Sequence, residues 1–94
     1  MAIKVKIPTP LRRFASEKSE LAVEARDVEG ALGALLAAHP GLKAQLLAES
    51  GAVRSFVNLF VNGEDVRFLD GQKTSVKDGD TLAIIPAIAG GAGR

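Results

Sequence analysis

Only one stretch of this chain sustains apolar residues at helical spacing, and that limits the fold more than any other feature. Val28, Ala31, Leu32, Leu35 and Leu36 recur at intervals of three and four, which lines one face of a helix. Asp27 stands before them as an N-cap, where its carboxylate can accept from the free amides of the first turn. His39-Pro40-Gly41 ends the helix, because the residue before proline avoids the α region. A second, short helical segment is expected over residues 42–49, carrying Leu42, Leu46 and Leu47. Gly30 and Gly33 weaken the main helix by up to ~1 kcal/mol each relative to alanine. They are expected where the helix packs closely on a sheet.

The other apolar runs alternate with polar residues. Ile3, Val5 and Ile7 alternate with Lys4 and Lys6, a half-buried strand closed by Pro8 and Pro10. Residues 11–18 carry polar and basic residues and read as a loop. Residues 20–24 alternate again, with Leu21 and Val23 inward, as a second strand antiparallel to the first. A third strand spans residues 56–61, and Asn62-Gly63 behind it is a strong hairpin signal. A short fourth strand is expected at Val66-Arg67-Phe68, turns at Asp70-Gly71 and Asp78-Gly79, and a last strand over residues 81–85. The order strand, strand, helix, strand, strand, strand implies an α+β fold, a mixed sheet of four to five strands packed on one main helix. With the first and last strands parallel at the centre, this is the β-grasp (ubiquitin-like) arrangement. A ferredoxin-like sheet would need a second long helix before the last strand, and residues 69–80 are too short and turn-rich for one. The expected core is Ile3, Val5, Leu21, Val23, Leu32, Leu35, Leu36, Val57, Leu59, Val61, Leu82 and Ile84.

Several function classes fall away. A net charge of +1 and scattered basic residues give no field for nucleic acid or an anionic membrane. With no tryptophan or tyrosine and four phenylalanines, base-stacking platforms are not expected. The absence of cysteine removes disulfides, thiol catalysis and thiolate metal sites. The apolar runs are far short of the ~20 residues that span a bilayer, and the N-terminus lacks the apolar block of a signal peptide. A soluble cytoplasmic protein of one domain is expected, with a β-grasp unit over residues 1–86 and a flexible glycine-rich tail over 87–94. The single histidine, His39, reads as a helix-end or surface residue rather than a general base. Asp78-Gly79-Asp80 lacks the rest of a calcium loop. Gly90-Gly91-Ala92-Gly93 lacks the lysine and following helix of a phosphate loop. No catalytic residue, metal site or cofactor is expected in the chain itself.

The tail is the informative part. Beyond Pro86, no side chain larger than Ile88 appears before Arg94. Glycine has no Cβ, so such a segment is thin enough to thread into a narrow site on another protein. Residues 56–68, then Asp78-Gly79-Asp80-Thr81-Leu82, then Ile85-Pro86-Ala87-Ile88-Ala89-Gly90-Gly91 resemble the ubiquitin-like sulfur-carrier family of ThiS and MoaD, most closely its CysO-type carriers of cysteine biosynthesis. The resemblance implies a β-grasp fold and a carrier that is not itself an enzyme. It implies that Gly90 and Gly91 are the functional tail residues, with Gly91 holding a carboxyl that is adenylated and converted to a thiocarboxylate. The implied partners are a ubiquitin-type activating enzyme using ATP, a sulfur donor and an acceptor synthase. Cysteine synthesis is the favoured pathway, with molybdopterin, thiamine and tRNA thiolation left open. Members of that family usually stop at Gly-Gly, whereas Ala92-Gly93-Arg94 follow here. A processing protease removing those three residues is therefore an expected further partner.

Strand alternation points to a docking surface as well. If Val57, Leu59 and Val61 face the helix, Phe56 and Phe60 face away, as do Ala83 and Ile85 on the last strand. Phe60, Ala83 and Ile85 would then form an exposed apolar patch near the tail, of the kind that marks interaction sites. The competing expectation is that residues 11–18 cover part of that face through Phe14. Two functional alternatives also stand: a covalent modifier joined through Gly91 to lysines of other proteins, and a plain interaction domain with an inert tail.

Overall fold

The sheet is arranged around its strand latest in sequence. In the computed structural model, which describes residues 2–86, β5 (Thr81–Pro86) lies between β1 (Ala2–Lys6) and β3 (Val57–Val61). It runs parallel to β1 and antiparallel to β3. β2 (Glu20–Glu24) pairs antiparallel with β1, and β4 (Glu64–Asp65) pairs antiparallel with β3. The order is β2-β1-β5-β3-β4, and α1 (Val28–Ala38) connects β2 to the β3 side of the sheet. A parallel pair cannot be joined by a tight hairpin, and here the whole intervening chain connects β1 to β5. This is the expected mixed β-grasp sheet on one main helix.

Inward residues follow the alternation. Ile3 and Val5 of β1, Val57, Leu59 and Val61 of β3, and Leu82 and Ile84 of β5 are buried against Val28, Ala31, Leu32 and Leu35 of α1. Asp27 caps α1 as expected: its Oδ1 accepts from the Gly30 amide at 2.7 Å. At the other end the His39 backbone amide donates to the Leu35 carbonyl at 2.9 Å, so the backbone rather than the imidazole makes the terminal bond.

Several expectations are corrected. Leu21, Val23 and Leu36 are only half-buried, because β2 is an edge strand with a neighbour on one side and Leu36 lies at the margin of the apolar face. Their place in the core is taken by residues from outside the main elements, including Ile7, Leu11, Ala15, Leu42, Leu46, Val66 and Val76. Residues 11–18 are not a plain loop. Thr9–Ala15 forms a 3-10 helix with Pro10 in its first turn, buries Leu11 and Ala15, and ends at Ser16 and Glu17 with φ of 55° and 62°. The helical segment expected over residues 42–49 is shorter: a 3-10 turn at Pro40–Leu42 runs into α2 (Lys43–Leu46). The fourth strand is not Val66–Phe68. The Asn62-Gly63 turn returns the chain at once, so β4 is Glu64–Asp65. The Asp65 carboxylate then accepts from the Arg67 amide at 2.9 Å and curls Val66–Phe68 into a 3-10 turn with Val66 buried. Gly33 does not permit close helix–sheet packing either: it is exposed, and nothing lies within 4 Å of where a Cβ would sit.

One polar cluster ties the strand ends together. Asp80 is buried, with its Oδ1 accepting from Asn62 Nδ2 at 3.0 Å and its Oδ2 from the Lys77 amide at 2.9 Å. The Asn62 Oδ1 in turn accepts from the Thr81 amide at 3.0 Å. The Asp80 carbonyl accepts from the Lys4 amide at 2.9 Å, and Asp78 Oδ1 from the Ala2 amide at 2.9 Å. The start of β5, the hairpin tip and β1 are thus held by two neighbouring carboxylates and one carboxamide. Hydrogen bonds from Asn62 and from the Lys77 amide hold the Asp80 carboxyl below its ordinary pKa.

Three outcomes follow from this packing. Leu59→Ala should cost roughly 2–5 kcal/mol in urea unfolding, since it empties a buried site facing the helix. Gly33→Ala should raise stability by about 0.5–1 kcal/mol, because an exposed helical glycine gives up backbone entropy with no packing in return. Asp80 has a folded pKa below its unfolded one, so its contribution is present above the unfolded value and is lost as pH falls through the folded value. Asp80→Asn should therefore lower the neutral-pH urea midpoint and flatten its decline in acid.

Candidate functional site

β5 carries two faces to the point where residues 87–94 begin. Leu82 and Ile84 turn inward and are buried, whereas Ala83 is half-buried and Ile85 is 48% exposed on the opposite face. The pairing register lays one row across that outward face: Glu20, Lys6, Ala83, Phe60 and Asp65, each opposite the next on the adjoining strand. Ile85 stands one pleat further toward Pro86, opposite Asn58. Phe60 and Ala83 are therefore direct cross-strand partners, with Ile85 in the diagonal position, about 7–8 Å between Cα atoms for such neighbours. The three residues expected to form the patch are brought together. Phe60 is half-buried by this packing, so Ile85 presents the most open surface of the three.

The rim of this face is charged. Lys6 stands on the β1 side. On the β4 side Arg67 grips Asp65 with Nη2 to Oδ2 at 2.6 Å and Nε to Oδ1 at 3.1 Å. This two-point bond holds the Asp65 carboxyl below its ordinary pKa and the Arg67 guanidinium above its own. The pair went unread in the sequence; its signal is the Asp-x-Arg spacing just after the hairpin.

Phe14 does not cover the outward face. The Thr9–Ala15 helix packs against Pro40–Leu42, and a Cβ built on Gly41 would lie 3.5 Å from the Phe14 ring. Leu11 and Ala15 join the core beside α1, which places the segment with the helical layer. Phe56 also leaves the outward face. The Val57 amide bonds back to the Arg54 carbonyl at 2.9 Å, so the strand starts at Val57 and Phe56 precedes it. Its ring lies 6.0 Å from the Arg54 guanidinium carbon, in a groove shared with Leu11, Ala44, Gln45 and Pro86. Neither Arg54 nor this groove at the root of the tail was legible as a sequence motif.

His39 and the aspartates of the 78–80 turn do not converge on a reaction centre. The Asp78 and Asp80 carboxylates bond Ala2, Asn62 and Lys77 within the fold. Among the described residues no three His, Cys, Asp or Glu side chains are grouped to hold a metal ion, and no helix is long and apolar enough to cross a membrane. Gly90, Gly91 and the Ala92-Gly93-Arg94 extension lie outside the described residues.

A β-grasp sheet whose central strand leads into Gly90-Gly91 is matched by the ThiS family model over residues 5–91. The chain belongs to the ThiS family. This ThiS-family chain is 37% identical over 93 residues to the sulfur carrier protein CysO of Mycobacterium tuberculosis, covering 97% of this chain and 100% of that one. A chain in the crystal structure of the Amycolatopsis orientalis BexX/CysO complex superposes with a TM-score of 0.86 at 40% identity, covering 95% of this chain and 99% of that one. Small archaeal modifier protein 3 of Haloferax volcanii is 42% identical over 60 residues, 64% of either chain. A role of the sulfur-carrier or ubiquitin-like kind follows for this ThiS-family member.

Ile85→Asp should leave the unfolding free energy within about 0.5 kcal/mol of wild type, as exposed substitutions do. A thermal melt showing a large loss would place that side chain in the core.

Proposed function

We propose that this chain is a sulfur carrier whose reacting group is the carboxylate of Gly91. Residues 1–86 act as the docking unit, and residues 87–91 deliver the carboxylate into a partner's site. A carboxylate is a poor electrophile, so it is first adenylated by a ubiquitin-type activating enzyme. A carboxylate oxygen attacks the α-phosphate of ATP, and pyrophosphate leaves. A sulfur donor then attacks the acyl carbon, AMP departs, and a thiocarboxylate remains. This anionic sulfur gives a cysteine-free chain the nucleophile that a thiolate would otherwise supply. An acceptor synthase takes the sulfur, and the chain contributes no catalytic side chain of its own.

The observation that carries this reading is the ThiS-family match running through Gly90 and Gly91 on a chain whose β5 exposes Ile85 just before the tail. Likeness to CysO over nearly the whole chain favours cysteine biosynthesis as the destination, in the cytoplasm. Phe60, Ala83 and Ile85 serve as the surface that docks on the activating enzyme. The likeness to a small archaeal modifier protein supports a second reading, in which Gly91 is joined to lysines of other proteins. Lysine adducts in cell extract would favour that modifier role, whereas exchange of one oxygen for sulfur on the free chain favours the carrier.

Adenylation needs the carboxylate itself at the α-phosphate, and Ala92-Gly93-Arg94 would carry any terminal carboxyl three residues past that point. A processing protease therefore exposes Gly91 before activation. The test mixes activating enzyme, ATP and sulfide with the chain as it stands, or with one ending at Gly91, and weighs the intact products. Thiocarboxylate is expected only on the chain ending at Gly91. Equal conversion with Arg94 still attached would overturn the processing step.

A further inference from the structure

We propose that Asn62 is a modification site, where a spontaneous loss of ammonia through a cyclic imide with Gly63 is gated by the clamp that Asp80 and Thr81 place on its carboxamide. Asn62 and Gly63 form the two-residue tip between β3 and β4, and both are exposed. Their φ angles are 50° and 89°, and nothing lies within 4 Å of where a Cβ on Gly63 would sit. Gly63 itself carries no side chain to shield its amide nitrogen as a nucleophile.

In the reaction that nitrogen attacks Cγ of Asn62. The C–Nδ2 bond breaks, and the nitrogen leaves as ammonia with the proton given up by the Gly63 amide. Water then opens the ring at either carbonyl, leaving aspartate or isoaspartate. In the closed fold Nδ2 donates to Asp80 Oδ1 at 3.0 Å and Oδ1 accepts from the Thr81 amide at 3.0 Å. Both ends of the carboxamide are turned toward the start of β5, so Cγ reaches the Gly63 nitrogen only after two hydrogen bonds have opened. Local openings of this kind cost far less than global unfolding.

The product cannot restore the clamp. A carboxylate at position 62 has no proton for Asp80 and sets a second negative charge against one that is only 8% exposed. Isoaspartate also lengthens the backbone of a two-residue turn. Either product loosens the junction of β3, β5 and the 77–80 turn, at the end of the sheet opposite Pro86. Asn58 is an internal control. It lies inside β3 and is followed by Leu59, whose side chain crowds the attacking nitrogen.

The test incubates the full chain at mildly alkaline pH, folded or in guanidinium, and follows Asn62 and Asn58 by peptide mass mapping. Conversion is expected at Asn62 and not at Asn58, about tenfold or more faster in guanidinium than in the fold, and accelerated in folded Asp80→Ala. Equal rates in the folded and denatured chain would overturn the gate, and that comparison decides it even where Asp80→Ala does not fold. Asn62→Asp, which mimics one product, is expected to melt below wild type and below Asn62→Gly, since glycine keeps the turn without the charge. A melting point equal to wild type would overturn the role assigned to the clamp.

Discussion

The parallel pairing of β1 with β5 is the contact on which the rest of the structure depends. Val5 and Leu82 stand opposite each other in that pair, and both are fully buried. Their pairing joins the two ends of the described chain, so it ties β1 and β2 to β3 and β4 in one sheet. Removing water from this seam stabilises both halves at once, because β5 presents Leu82 and Ile84 to α1 while bonding strands on either side.

That central position also fixes the outward face at the end of the described chain. β5 is paired on both sides at Leu82 and Ala83 and with β3 alone beyond that, and Pro86 still pairs with Val57. The position at which the described chain ends is therefore set by the pairing of β5 with β3. The outward face beside it combines an apolar centre at Phe60, Ala83 and Ile85 with charges at Lys6, Asp65 and Arg67. An apolar centre gives affinity once water is excluded, and a charged rim sets orientation and partner choice. ThiS-family membership gives this geometry a functional setting of the sulfur-carrier or ubiquitin-like kind.

Much of this was legible along the chain. Alternation in residues 3–7, 20–24, 57–61 and 81–85 marks each long strand, because strand side chains change face at every step. Asp27 marks the start of α1, and Asn62-Gly63 marks the hairpin, because both depend on local backbone bonding and dihedral preference. The segments that read poorly depend on distant partners or on side-chain bonds that the strand pattern hides. Leu11 and Ala15 look like loop residues until Pro40–Leu42 is laid against them. Val66 continues an apparent strand until Asp65 bonds the Arg67 amide and turns it into the core. Asp78-Gly79-Asp80 reads as a plain turn, since nothing nearby in sequence announces that Asn62 will reach Asp80.

By itself, then, the sequence determined the element order, the inward face of each strand, the cap of α1 and the apolar identity of the outward residues on β3 and β5. Each of these follows from periodicity or from bonds within a few residues. Only the tertiary structure decided the register that sets Phe60 directly opposite Ala83, and that Phe14 belongs to the helical layer. It alone joined the hairpin tip to the start of β5 through Asn62 and Asp80. These features rest on strand register and on contacts between residues far apart in the chain, and register is set by how the whole core closes, which no local preference encodes.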